Sequence, residues 1–273
     1  MAAIRSRQHP LVKTFRTVSR GDATRALLDG WHLLREAIAA NIVIDTVAIA
    51  GKIASKSDAV LVDELAARSS AKVVSVSTAV MNAISPVRSP TGAVAIVRRR
   101  ESTVAELLSP PPGLVVFAID VQDPGNTGAI IRAAEAGGAT GVVLAGESAD
   151  PWAWKALRAA MGSTFRVPIW RQRDAQAACE TLRAQGLTLA ATVARGGIAM
   201  DEADLRRPTA LLLGGEGGGL SAAVLATADS RITIPMQQPV ESLNVAVACG
   251  VIVYEARRQR LDGVLRERSQ RGF

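Results

Sequence analysis

Short β-branched apolar runs alternate with stretches whose apolar positions recur every three to four residues, and the alternation divides the chain into two α/β segments. In the first, which runs to about Val97, RALLDG reads as a strand and turn, WHLLREAIAAN as a helix and VIDTVAIA as a strand. A helix through DAVLVDELAARSS and strands at KVVSVS and GAVAIV complete it, with Gly30 and Asn41 as turn and helix-end residues. The opening MAAIRSRQHPLVKTF shows no clean amphipathic helix. VRRRESTVAELLSPPPG then combines charge, three prolines and Gly113, which predicts a stiff extended linker rather than core. Beyond it LVVFAID has the look of a buried parallel strand. TGVVLAG, WAWKALRAAMG, FRVPIW, DAQAACETLRAQG, LTLAATV, TALLLGG and RITIPM continue the strand and helix signals, and a long helix starts near Leu243. The expected fold class is α/β: a small N-terminal α/β domain over residues 1–100, a linker at 101–113, and a domain over 114–273 built on a parallel sheet covered by helices on both faces.

Composition agrees with this reading: 48% of the 273 residues are hydrophobic and 21% charged, as in a globular protein with a buried core. No apolar run reaches the roughly 18 to 20 residues that cross a bilayer. The N-terminus lacks the apolar centre of a secretory signal, so a cytoplasmic protein without a membrane partner is expected. Cys179 and Cys249 stand far apart in apolar, helix-like stretches and read as buried, reduced thiols. With His9 and His32 the two histidines, a metal centre or a Ser–His–Asp triad is poorly supplied, and no metal is expected.

Charge adds a partner. A net charge of +7 suits a polyanion, since Lys and Arg release counterions from phosphates, although it also suits mere solubility. Arg5, Arg7, Lys13, Arg16, Arg20 and Arg25 crowd the N-terminus against Asp22. Arg257, Arg258, Arg260, Arg266, Arg268 and Arg271 close the chain. One Tyr, four Phe and four Trp are too few for base stacking to dominate binding.

Three segments fall at or just beyond predicted strand ends, where open α/β sheets bind ligands. In the first, Asp123, Pro124 and Gly125 make a tight turn, Asn126 or Thr127 can cap the next helix, and Arg132 lies six residues on. An arginine there suits a bidentate grip on phosphate or is simply a surface residue. The second, Leu213 to Ser221, sets five glycines around Glu216. Such a loop presses backbone against a ligand, but it lacks the Lys and Ser or Thr of a P-loop. A carboxylate on its buried side would repel phosphate and suit a hydroxyl or cation. In the third, Ile234 to Ala248, Ser242 and Asn244 stand at the start of the last helix, as caps or as ligand contacts.

Read together, in order, DPGNTGAIIRAAEAGG, LLLGGEGGGLS and IPMQQPVESLNVAVACGVIVYE resemble the three signature segments of the SpoU (TrmH) family of RNA ribose 2′-O-methyltransferases, over most of residues 114–260. MGSTFRVP resembles the family's strand-entry segment. IRSRQHPLVK and DGWHLLREAI are similar, more loosely, to the ribosomal-protein-like RNA-binding domain that many members carry. The resemblance implies a C-terminal SPOUT domain whose parallel sheet ends in a deep trefoil knot, a homodimer, and S-adenosylmethionine as cofactor. It implies methylation of a ribose 2′-hydroxyl in structured RNA, ribosomal RNA before transfer RNA. A non-catalytic RNA-binding factor and a Rossmann-type nucleotide enzyme are the other classes.

Carried onto this chain, the resemblance gives a cofactor cradle of Leu213, Gly214, Gly215, Glu216, Gly217, Ile234, Met236, Leu243 and Asn244. It gives a catalytic set of Asn126, Arg132, Glu216, Ser242 and Asn244. Arg5, Arg7, Lys13 and Arg16, with Arg132, are the expected RNA contacts. The chain departs from the family pattern at Gly215, where Asn or Ser is common, at Gln238 in place of Gly, and at Ala246 in place of Ser. Gly215 is expected to be accepted easily.

Overall fold

His9 and Pro10 start the first helix, α1 (Pro10–Arg20): proline at the first helical position forfeits no hydrogen bond, and His9 Nδ1 accepts the Leu11 N–H at 3.2 Å. Val12, Phe15 and Val18 turn inward at three-residue spacing while Lys13, Arg16 and Arg20 face solvent. This amphipathic helix corrects the expectation for the N-terminus, whose dense basic residues obscured the apolar spacing. The computed structural model describes residues 3–51, 56–67 and 71–270. Arg271 lies outside the described residues, as do the side chains of Arg266 and Arg268.

Strand β1 (Arg25–Asp29), α2 (Trp31–Ala39), β2 (Ile44–Ala50), α3 (Lys56–Ala67), β3 (Lys72–Val76), α4 (Thr78–Ile84) and β4 (Ala93–Arg98) follow. The strands form a mixed sheet in the order β1-β4-β2-β3, with β2 and β3 parallel and the other pairs antiparallel. Helix α4, absent from the sequence reading, is capped by Ser77 and buries Val80, Met81 and Ile84.

The stretch expected to be a linker instead contains a helical turn, α5 (Val104–Leu107), closed by a Thr103–Glu106 capping box. Leu107 is fully buried and packs in the core of the second unit, which begins at Glu101. Leu107 is therefore core, while Ser109, Pro110, Pro111 and Pro112 after it are exposed. Next come β5 (Leu114–Ile119), α6 (Pro124–Gly137) and β6 (Gly141–Ala145). The following α7 (Trp154–Ala160) and α8 (Ser163–Arg166) belong to the first unit, which comprises Met1–Arg100 and Pro151–Arg166. Trp152, Leu157 and Phe165 share a core with Leu28, Leu34 and Ile44. Nothing in the local pattern of WAWKALRAAMG tells which core it joins.

The second unit resumes with β7 (Ile169–Gln172), α9 (Ala175–Ala184), β8 (Thr188–Thr192), β9 (Ile198–Ala199), β10 (Thr209–Gly214), α10 (Ala222–Thr227), β11 (Ser230–Thr233) and α11 (Val245–Gln270). Its seven strands are all parallel, in the order β7-β6-β5-β10-β8-β11-β9. Every residue of β5 and β6 is buried, as expected of strands covered on both faces. Strand β7 begins four residues later than FRVPIW suggested, because Phe165 and Arg166 end α8. Helix α11 packs along α6 so closely that a Cβ on Gly137 would lie 2.2 Å from Val253 Cγ1. Arg260 fastens α11 to the sheet: its half-buried guanidinium donates to the carbonyls of Pro112, Gly113, Leu205 and Arg207. Cys179 and Cys249 are both free and buried, and burial pushes the Cys249 thiol up to about 12.

Candidate functional site

The ends of β8, β10 and β11 and the start of α11 enclose a cavity of about 540 Å³. Leu213, Gly214, Gly215, Glu216, Gly217, Ile234, Met236, Leu243 and Asn244, the nine residues expected to form a cradle, all line it, and so does Ser242. Thr192, Val193 and Ala194 line it too, and sequence reasoning missed them. Their signal was available, since Thr192 ends the parallel strand in LTLAATV and Val193 and Ala194 follow it, and ligands sit beyond such ends.

Glycine makes one wall possible. The chain doubles back after β10, with Gly219 N–H donating to the Gly215 carbonyl at 3.3 Å, and Gly217 and Gly219 take φ of +90° and +62°. A Cβ on Gly214 would lie 2.3 Å from the Gly219 carbonyl carbon, and one on Gly215 would lie 2.0 Å from the Asp120 carbonyl oxygen. Glycine at position 215 is therefore required by this packing, which corrects the view that it is merely tolerated.

Three polar side chains meet at the lip. Asn126 Nδ2 donates to Glu216 Oε1. Asn244 Nδ2 lies 3.0 Å from Asn126 Oδ1 and 3.3 Å from Glu216 Oε1. The arrangement is self-consistent in donors and acceptors. Asn244 Oδ1 accepts the Ala246 and Val247 N–H groups at 3.0 and 3.3 Å, capping α11, so its amide nitrogen must face the other two residues. Asn126 is released for this contact because Asp123, not Asn126 or Thr127, caps α6: Asp123 Oδ1 accepts the Asn126 N–H at 2.8 Å. Glu216 is exposed rather than on a buried side, so its carboxylate meets both the amides and solvent.

Arg132 is not part of this contact. It lies farther along α6, exposed, with no hydrogen bond or ion pair among the described residues, and it does not line the cavity. Arg5, Arg7, Lys13 and Arg16 are exposed in the first unit. Arg7 and Arg16 each donate Nε to a carbonyl of α4, those of Ala79 and Ala83. Among the described residues no group of His, Cys, Asp and Glu has the makings of a metal site. None of the helices searched is long and apolar enough to cross a membrane.

A parallel sheet with a glycine-walled cavity beyond its strand ends defines an α/β protein that takes a small-molecule ligand there. A model of the SpoU rRNA Methylase family matches residues 113–254, and one of the MRM3-like substrate binding domain matches residues 16–95. The chain is 38% identical over 268 residues, 95% of each chain, to an uncharacterized tRNA/rRNA methyltransferase of Synechocystis sp.. It is 30% identical over 262 residues to the 23S rRNA (guanosine(2553)-2′-O)-methyltransferase RlmP of Bacillus subtilis, covering 94% of this chain and 100% of that one. The AdoMet-bound rRNA methyltransferase from Sinorhizobium meliloti has a TM-score of 0.84 at 30% identity, over 94% of this chain and 97% of that one. The SpoU methyltransferase AviRb from Streptomyces viridochromogenes, in complex with AdoMet, gives 0.84 at 27% identity, over 93% and 99%. The chain belongs to the SpoU rRNA methylase family.

Proposed function

We propose that this chain transfers a methyl group from S-adenosylmethionine to a ribose 2′-hydroxyl of ribosomal RNA in the cytoplasm. The observation that carries the reading is the mutual contact of Asn126, Glu216 and Asn244: three separate segments converge on one bonded set of side chains beside one cavity. Kinship with RlmP, which acts on 23S rRNA, favours ribosomal over transfer RNA.

S-Adenosylmethionine supplies a methyl group activated on a sulfonium. The cavity suits a ligand of this kind: small-molecule sites span roughly 300–1,000 Å³ and combine apolar walls with a few fixed polar groups. Here the main chain of Gly214, Gly215 and Gly217 offers hydrogen-bonding groups, and Leu213, Ile234, Met236 and Leu243 offer apolar surface. Glu216 and Asn244 supply polar side chains at the lip.

Alignment and removal of the hydroxyl proton are the tasks left to the protein, and alignment accounts for much of the acceleration. In this reading Arg132 grips the phosphate beside the target ribose and stabilises the developing alkoxide. A guanidinium holds its protons too firmly to serve as the base. Asn126 holds the nucleotide. Glu216 Oε2 accepts the proton, directly or relayed through the Ser242 hydroxyl, while Asn244 keeps Glu216 in register. Arg5, Arg7, Lys13 and Arg16 contact RNA phosphates.

A homodimer and a trefoil knot belong to the same proposal. The dimer is supported by Val247, Tyr254 and Leu261, which sit seven residues apart on α11 and are each about half exposed. The knot rests on membership of the SpoU family.

Calorimetry of the intact protein with S-adenosylmethionine and with NAD tests the cofactor. Binding of the first and not the second is expected. Binding of NAD alone would overturn the reading.

A further inference from the structure

Asp120 directly follows strand β5 and adopts φ +57°, a left-handed conformation uncommon for a residue with a side chain. The twist aims the two ends of this residue at two different loops. Its carbonyl oxygen packs on Gly215, where any Cβ would come within 2.0 Å of it. Its Oδ1 accepts the Glu147 N–H at 2.9 Å and fills the space where a Cβ on Gly146 would come within 2.1 Å. Asp120 is thus wedged between the turn after β6 and the glycine loop after β10, and both neighbours are glycines at the point of contact.

The chain beyond Asp120 is held just as firmly. Val121 N–H donates to the buried Ser148 Oγ at 3.1 Å, and Ala149 N–H donates to the Val121 carbonyl at 2.8 Å. The Thr127 hydroxyl donates to that same carbonyl at 3.2 Å. Five residues on from Val121 stands Asn126, and next to Gly215 stands Glu216. Asp120 itself does not line the cavity.

We infer that Asp120 is a positioning residue for methyl transfer: its carboxylate, anchored on the turn after β6, and its left-handed turn set the separation of the loops after β5 and β10, which bring Asn126 to Glu216. The inference rests on the methyl-transfer reading. Two features of Asp120 carry the role, and substitutions separate them. Asp120→Asn keeps an acceptor oxygen and a residue type tolerant of positive φ. Asp120→Gly keeps the backbone conformation and loses the bond to Glu147. Asp120→Ala loses both.

The test measures kcat, the KM for RNA, the affinity for S-adenosylmethionine and the side-chain amide NMR signals of Asn126 and Asn244 in each folded variant. Displacing reacting groups by about an ångström costs on the order of a hundredfold, so Asp120→Ala is expected to lower kcat roughly ten- to hundredfold with KM little changed. The Asn126 amide signal should move with it. Asp120→Asn should restore kcat to within about threefold and the wild-type amide position, with Asp120→Gly between them. Adding Asp120→Gly to Glu216→Gln should cost less than the product of the single losses, because both act through one contact. Where Asp120→Ala fails to fold, the Asn and Gly variants carry the comparison. Equal loss in Asp120→Asn and Asp120→Gly, an unmoved Asn126 signal in Asp120→Gly, or fully multiplicative losses would each overturn the inference. The NMR readout needs no substrate, so it stands apart from a failure of the methyl-transfer reading, in which wild type would transfer nothing.

Discussion

The two arginine-rich ends of the chain look alike in sequence and are used differently. At the C-terminal end Arg260 spends Nε and both terminal nitrogens on four backbone carbonyls. Burial lowers its pKa, and Arg258 is held between Glu255 and Asp262. At the N-terminal end Arg7 and Arg16 give one Nε each to a carbonyl, and among the described residues Arg5 and Lys13 have no partner. Arg25, bound by Asp22, is the exception there. A cluster of basic residues is therefore not by itself a nucleic-acid surface. What distinguishes one is whether the guanidinium groups already have acceptors. By that measure Arg132, exposed and without partners among the described residues, sides with the N-terminal group.

Substitutions sharpen the contrast, starting with the largest effect. Arg132→Ala is expected to lower kcat by about a thousandfold, the scale of losing a transition-state donor, while calorimetric affinity for S-adenosylmethionine stays at the wild-type level. Equal losses of both would place Arg132 in the cofactor site instead. Arg260→Ala should destabilise the fold by about 2–3 kcal/mol, since four carbonyls lose a charged donor, and denaturant unfolding measures this. If RNA affinity fell while stability held, the contrast between the two ends would be broken. The pair Arg5→Ala and Lys13→Ala should weaken RNA binding and flatten its salt dependence by about one unit per residue, with melting unchanged.

The smallest effect concerns Asp22. Its carboxylate, facing the Arg25 guanidinium and the Thr24 N–H, is held well below the usual carboxylate range. A depressed folded pKa means that the stabilisation is present above the unfolded value near ~4 and lost as pH falls through the acid range. Asp22→Asn should therefore cost about 1 kcal/mol or less at pH 7, discounted for the exposure of Arg25, and progressively less below about pH 4. A melting difference that does not change with pH would contradict this.

Strand periodicity located most strands of the first sheet and of the parallel sheet because they rest on local apolar runs such as IDTVAIA and LVVFAI. What escaped was decided by tertiary partners. Helix α1 was hidden because its apolar residues at positions 12, 15 and 18 are interleaved with as many basic ones, Lys13, Arg16 and Arg20, on the solvent face. Leu107 entered a core although three prolines follow it closely, and Trp152 joined the first unit rather than the second. At the site, motif order picked out Asn126, Glu216 and Asn244, which the structure brings together. It did not show that Asp123 takes the cap and so frees Asn126, nor that the Asp120 carbonyl enforces Gly215, because both depend on backbone geometry.

The most direct test is transfer of labelled methyl from S-adenosylmethionine to unmodified ribosomal RNA and, in parallel, to transfer RNA, followed by alkaline hydrolysis. A 2′-O-methyl group protects the neighbouring phosphodiester from alkali, so label in alkali-resistant dinucleotides from ribosomal RNA is the predicted result. Label confined to mononucleotides would mean base methylation and would contradict the assignment of a ribose hydroxyl as acceptor.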